Sequence, residues 1–190
     1  NKAVLVIKSN DPSVPVVNFP ITLDRNRMPV ITVPGEAIVV SEGTNPTVQV
    51  TVTEPEADDF TIVFTDNAGI SSITSIDVDG EGSYEKLGEE GIKVKGANKA
   101  TLNVTISPDY ETAGNYSFTV FAADAFNQEA SATVEYTVEH ANRAPVATEI
   151  PDVQIAVDNT SSVINFADYF TDPDGDAITY TFSCSEQGIA

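Results

Sequence analysis

Apolar and polar residues alternate along most of this chain, and a period of two leaves few folds open. Val48, Val50 and Val52 alternate with Thr47, Gln49 and Thr51. Ala100, Leu102, Val104 and Ile106 alternate with Lys99, Thr101, Asn103 and Thr105. Tyr116, Phe118, Val120 and Ala122 follow the same rule, with Phe121 an apolar exception on the polar side, as do Val134, Tyr136 and Val138. Successive side chains of an extended strand point to opposite faces. Each run therefore offers one face to a core and one to water, as in antiparallel sheets covered on one side. No segment carries a sustained helical stripe. Short strands separated by Gly, Pro, Asn and Asp predict an all-β chain built as β-sandwiches. Strands are expected near 30–34, 37–41, 47–53, 60–65, 91–95, 99–106, 115–123 and 130–139. Residues 70–90 read two ways. Ile70, Ile73 and Ile76 suit a strand, whereas the run Asp77-Val78-Asp79-Gly80-Glu81-Gly82 reads as a turn-rich loop.

The chain also repeats itself. Asn26-Arg27-Met28-Pro29-Val30 returns roughly 116 residues later as Asn142-Arg143-Ala144-Pro145-Val146. The run from Thr53 to Phe64, with Glu54-Pro55-Glu56-Ala57-Asp58, returns at nearly the same offset from Thr171 to Phe182, with Asp172-Pro173-Asp174-Gly175-Asp176. Two separated matches at one offset mark tandem modules of ordinary domain size. The expected organisation is a terminal hairpin of an upstream domain over 1–25, a complete sandwich over 26–141, and the N-terminal half of a second repeat over 142–190. A half sandwich exposes strand edges, so residues 145–190 are expected to pair with residues 1–25, to associate with another chain, or to be poorly ordered.

Charge narrows the partners. The formal net charge is −20, from 29 acidic and 9 basic residues. Nucleic acid and anionic membranes are bound by clustered Lys and Arg, so neither is expected as a partner. Hydrophobic residues make up 41% of the chain and are patterned, which favours a packed core over disorder. The one cysteine, Cys184, allows no intrachain disulfide. No stretch approaches the ~20 apolar residues of a membrane span.

Few residues suit catalysis. His140 is the only histidine and reads as a solvated linker residue, so a Ser-His-Asp or Cys-His arrangement is not expected. One His and one Cys make a poor zinc set, and no Gly-rich phosphate loop is present. Calcium is the chemistry the acidic turns suggest. Asp172, Asp174 and Asp176 stand at alternating positions of a turn broken by Pro173 and Gly175, which curls the carboxylates toward one point. The spacing is not that of an EF-hand, since Ala177 and Ser183 fall where that loop needs Gly and Glu. Asp77, Asp79 and Glu81 form a second candidate loop. A solvated acidic turn is the alternative for both.

Three local patterns resemble known families. Ile7-Lys8-Ser9-Asn10-Asp11-Pro12, followed by Pro15, resembles the closing hairpin of hydin-type (ASH) Ig-like domains. Thr112-Ala113-Gly114-Asn115-Tyr116-Ser117-Phe118 resembles the tyrosine corner of Ig-like folds, with Phe118 where antibody domains carry a cysteine. Asp172-Pro173-Asp174 with Ile178-Thr179-Tyr180, and Pro108-Asp109-Tyr110-Glu111 with the run from Tyr116 to Asp124, are similar to bacterial cadherin-like (dystroglycan-type) repeats. Glu42 fits an early-strand acidic position of that family. The resemblance implies calcium at the joints between modules. Glu42, Asp109 and Glu111 would face Asp172 and Asp174, while Asp124 would face the upstream joint with Glu54 and Glu56. One departure matters. Arg27 and Arg143 stand where cadherins carry an acid, so a guanidinium could neutralise each acidic cluster in place of metal.

The expected role is non-catalytic, as adhesion or spacer modules of a secreted or cell-surface multidomain protein of bacterial type, with weak calcium binding at the joints. The expected partners are neighbouring domains of the same chain, another protein, or a glycan. Two alternatives stand beside it. One is an ancillary region of a secreted protease or glycosidase whose catalytic domain lies upstream. The other is a carbohydrate-binding module.

Overall fold

The structure is a computed structural model that describes residues 2–22, 25–88, 91–152 and 164–183. Cys184 lies outside the described residues. The chain divides into two compact units, residues 1–140 and 141–190. The fold is all-β.

The first unit begins with a hairpin. Strands β1 (Lys2–Lys8) and β2 (Val16–Thr22) pair antiparallel as a two-stranded sheet. Its turn is organised by Asp11, whose Oδ1 accepts from the Ser13 N–H at 2.8 Å. An aspartate bonding to the backbone two residues on is the usual reason this residue type closes a turn.

A sandwich follows. Its strands are β3 (Val30–Thr32), β4 (Ile38–Ser41), β5 (Thr47–Thr53), β6 (Phe60–Asp66) and β7 (Ser71–Val78). They continue with β8 (Ser83–Lys86), β9 (Ile92–Lys95), β10 (Lys99–Ile106), β11 (Gly114–Asp124) and β12 (Glu129–Glu139). One sheet has the order β3-β5-β10-β7 and the other β4-β12-β11-β6-β9-β8. All pairings are antiparallel except β4 with β12. The eight expected strands are all present. Residues 70–90 resolve in favour of a strand and more: β7 pairs with β10, and after a turn at 79–82 the chain crosses to β8 at the edge of the other sheet.

The alternation seen in the sequence is what builds the core. Val50 and Val52 from β5, Leu102, Val104 and Ile106 from β10, and Phe118 and Val120 from β11 are at most 1% exposed. Burying each such side chain contributes about 1.5–3 kcal/mol. Tyr116 closes a corner, its hydroxyl donating to Thr112 O at 2.7 Å. Phe118 stacks obliquely on Phe64 at 5.2 Å between ring centres and is buried.

The second unit has less regular structure among its described residues. β13 (Val146–Ala147) pairs with β14 (Phe170–Thr171), preceded by a 3₁₀ turn at Phe166–Asp168. Phe166, Phe170, Tyr180 and Phe182 form a ring cluster with centres 4.8–5.9 Å apart. Residues 176–183 run without a strand.

Candidate functional site

Each copy of the repeat folds into the same local arrangement, an acidic turn clasped by an arginine. In the second unit Asp172 organises the turn: its Oδ1 accepts from the N–H of Asp174 at 2.9 Å and of Asp176 at 3.2 Å. Gly175 takes the left-handed conformation with φ 80°, and its N–H donates to Asp172 O at 3.2 Å. Arg143 then grips Asp174. Its backbone N–H donates to Oδ2 at 2.5 Å and its Nε–H to Oδ1 at 2.8 Å, while Nη2 lies 2.7 Å from both Oδ1 and Pro173 O. The carboxylate is 4% exposed and the guanidinium 24%, so the pair is largely shielded from solvent. Charge-assisted bonds of this kind are about twice as strong as neutral ones.

The first unit repeats the pattern with longer acids. The Glu56 N–H donates to Glu54 Oε1 at 3.1 Å, and the Ala57 N–H to Glu54 O at 3.2 Å. Ala57, at the place of Gly175, is also left-handed, with φ 59°. Arg27 holds Glu56 through its N–H at 3.2 Å and Nε at 2.7 Å. The Arg27 hydrogen bond holds the Glu56 carboxyl below its usual range. Asn26 adds a reach across the sandwich, its Nδ2 donating to Asp124 Oδ2 at 2.6 Å. Asp124 is 6% exposed and caps the β11–β12 turn, its Oδ1 accepting from Phe126 and Gln128 N–H, both at 2.8 Å. Burial pushes this carboxyl up, but the Asn26 and backbone donors outweigh it and the net shift is downward. Glu54 is different. Its side chain is fully buried, and Oε2, like Asn26 Oδ1, has no hydrogen-bond partner among the described residues. Burial raises its pKa, and the charges of Glu56, Asp124 and Asp58 raise it further, against the Glu56 N–H bond that lowers it.

At the other end of the sandwich Glu42 is buried. Its Oε1 accepts from the Ala113 N–H at 2.9 Å, and Oε2 lies 2.8 Å from His140 Nδ1. His140 remains exposed to solvent, as a linker residue would be, and is also a partner of Glu42, because the end of β12 brings it beside the turn that follows β4. Asp109 and Glu111 flank Tyr110 in an exposed turn. The Asp109 carbonyl accepts from the Thr112 hydroxyl, and Glu111 is left-handed at φ 71°. Asp79 pairs with Lys99 at 3.3 Å on the surface, with Asp77 and Glu81 exposed beside it.

At the two clasped turns an arginine already answers the carboxylates. Both oxygens of Asp174 and both of Glu56 are already engaged by an arginine, and Asp172 spends Oδ1 on its own turn. Among the described residues no three His, Cys, Asp or Glu side chains converge as a metal-binding group. A helix long and apolar enough to cross a membrane is likewise absent among them.

No family model matches the chain, and no curated protein matches it. Solved structures do. Domains 4 and 5 of the S-layer protein SbsC are similar at 15% identity over 73% of this chain, with a TM-score of 0.36; the match spans 57% of that chain. A lipoprotein from Bacteroides thetaiotaomicron is similar at 11% identity, covering 64% of this chain and 88% of its own, with a TM-score of 0.42. An SrpA adhesin variant from Streptococcus sanguinis is similar at 15% identity, covering 68% and 69%, with a TM-score of 0.38. Likenesses this distant assign no function to the chain.

Proposed function

We propose that this chain is a run of non-catalytic Ig-like modules serving as a semi-rigid spacer or adhesive stalk on a cell-surface or secreted protein. One observation carries the reading. The Asn-Arg-x-Pro-Val element and its acidic turn adopt the same clasp in both copies, down to the left-handed residue. A sequence repeated for reach needs a reproducible boundary. Here His140 is tied to Glu42 on one side and Arg143 to Asp174 on the other, and the two held positions are separated by residues 141 and 142. Pro145 narrows the backbone further, by fixing its own φ and restricting the residue before it. On this reading the guanidinium does at each boundary what calcium does in cadherins. It neutralises carboxylates and fixes the chain.

The test is a distance distribution between two spin labels, one in each module, measured by pulsed electron resonance. The native chain should give a narrow distribution that broadens in Arg143→Ala and is unchanged by chelator. Equal widths for the two proteins, or narrowing only on addition of calcium, would overturn the spacer reading.

A further inference from the structure

Three times the sequence carries Asn-x-Ser/Thr with x other than proline, the acceptor pattern for an N-linked saccharide. The copies are Asn103-Val104-Thr105, Asn115-Tyr116-Ser117 and Asn159-Thr160-Ser161. The third lies outside the described residues. The first falls on β10 and the second on β11. Residues i and i+2 of a strand share a face, so each pattern sets its amide and its hydroxyl side by side. The fold treats the two pairs in opposite ways.

On β10 both side chains are engaged. Asn103 Oδ1 accepts from Gln49 Nε2 at 3.1 Å, and Asn103 Nδ2 donates to Ser75 Oγ at 2.9 Å. Thr105 Oγ1 lies 3.3 Å from Thr47 Oγ1 and 3.1 Å from Thr74 Oγ1. β10 is flanked by β5 and β7, so these bonds form a cross-strand ladder over the middle of the four-stranded sheet. A sugar on Asn103 Nδ2 would crowd Gln49 and Ser75 and disturb that ladder.

On β11 the pair is open. Asn115 Oδ1 accepts from Thr137 Oγ1 at 2.9 Å, which holds the amide by its oxygen. Asn115 Nδ2 and the Ser117 hydroxyl make no hydrogen bond among the described residues, and both residues are exposed. β6 pairs with β11 only from Phe118 onward, so neither residue has a strand partner on that side. Asn115 and Ser117 instead line an open groove of about 810 Å³ with Glu36, Asn67, Glu135 and Thr137. The volume is that of a small-molecule site. Its carboxamides, hydroxyls and carboxylates are groups that bond to sugar hydroxyls, and no lysine or arginine lines it. The first sugars of a chain attached at Asn115 have room there.

We propose that Asn115 is an attachment site for an N-linked saccharide. The donor is an oligosaccharide carried on a lipid pyrophosphate. Transfer joins Asn115 Nδ2 to the anomeric carbon and breaks the bond from that carbon to the pyrophosphate oxygen. The pyrophosphate leaves with the electron pair, and the amide gives up one proton. The product keeps the fold, because Asn115 Oδ1 retains Thr137 and Nδ2 gives up no partner. The proposal rests on the secreted or cell-surface reading, since such transfer acts on secreted chains. The spin-label test above reads Arg143, so either can fail alone. The experiment incubates the folded 190-residue chain with a purified oligosaccharyltransferase that accepts Asn-x-Ser/Thr and with its lipid-linked donor. Mass spectrometry maps the products, and short peptides covering each of the two patterns serve as controls. Both peptides should be modified. In the folded chain Asn115 should be modified at least ~10-fold more than Asn103. Ser117→Ala should abolish modification at Asn115 and leave Tm unchanged. Equal modification of the two sites in the folded chain, none at Asn115, persistence in Ser117→Ala, or refusal of either peptide would overturn the proposal.

Discussion

Glu54 is the residue whose chemistry is least like its neighbours'. Its carboxyl is fully buried, one oxygen has no partner among the described residues, and burial with three nearby acids pushes its pKa up. A group raised in the folded state contributes its full stability below its unfolded pKa and loses it as pH climbs through the folded value. Glu56 and Asp124, held low by Arg27 and by Asn26 with backbone donors, behave oppositely: their contribution is present above the unfolded value and lost as pH falls through the folded one. Glu54→Gln should therefore melt close to the native protein near about pH 4 and above it at neutral pH, the gap widening as pH rises. Thermal unfolding across that range measures it, and a gap that shrinks with pH would contradict the burial argument. The sequence held a signal for this residue that its acidic type obscured. Glu54 continues the inward phase of Val50 and Val52, Glu42 that of Val40, and Asp124 that of Val120 and Ala122. Three acids at strand ends in phase with the core are buried acids. Read only as turn residues or metal ligands, they pass for solvated ones.

Among the elements, the acidic turn shows what the two copies traded. Both turns need a left-handed residue, and the second copy meets the need with Gly175 while the first uses Ala57. An L-residue with a Cβ is strained there by roughly 1–2 kcal/mol, offset in part by the extra chain entropy that glycine loses on folding. Ala57→Gly should thus stabilise the first unit by about 0.5 kcal/mol, on the order of 2 °C in Tm. Calorimetry decides it, and a lower Tm would show that the turn is not strained as its φ implies. The turn's existence was legible from Glu-Pro-Glu-Ala against Asp-Pro-Asp-Gly. The arginine's grip was foreseen only as a charge in the right neighbourhood, because its backbone N–H contribution depends on the path of the chain before β3. Strands β7 and β8 were obscured for another reason. Ile73 and Ile76 are spaced by three, and the register of β7 against β10 slips between Asn103 and Val104. An irregularity of that kind breaks the period of two on which strand recognition depends.

At the scale of the molecule, the sandwich was legible because its core-facing residues keep one period through six of its strands, and the long β10, β11 and β12 carry it with few exceptions. What the sequence could not decide was the cation at the boundaries, since carboxylates in a turn look alike whether a metal or a guanidinium answers them. Net charge supplies the means to separate the two. A chain of −20 repels itself when compact, so any added cation stabilises it by screening. Screening depends on valence and hardly on the identity of the ion. A built calcium site depends on identity, because Mg²⁺ is smaller, keeps its waters and demands a tighter octahedral cage. With Arg27 and Arg143 holding Glu56 and Asp174, Ca²⁺ and Mg²⁺ at equal concentration should raise Tm by the same amount, within about 1 °C, with no saturation near ~10⁻⁴–10⁻³ M. In the double variant Arg27→Ala, Arg143→Ala the carboxylates lose their built-in cations, and there Ca²⁺ should stabilise more than Mg²⁺. A selective, saturable response to Ca²⁺ in the native chain would return the boundaries to metal and remove the clasp from its proposed role.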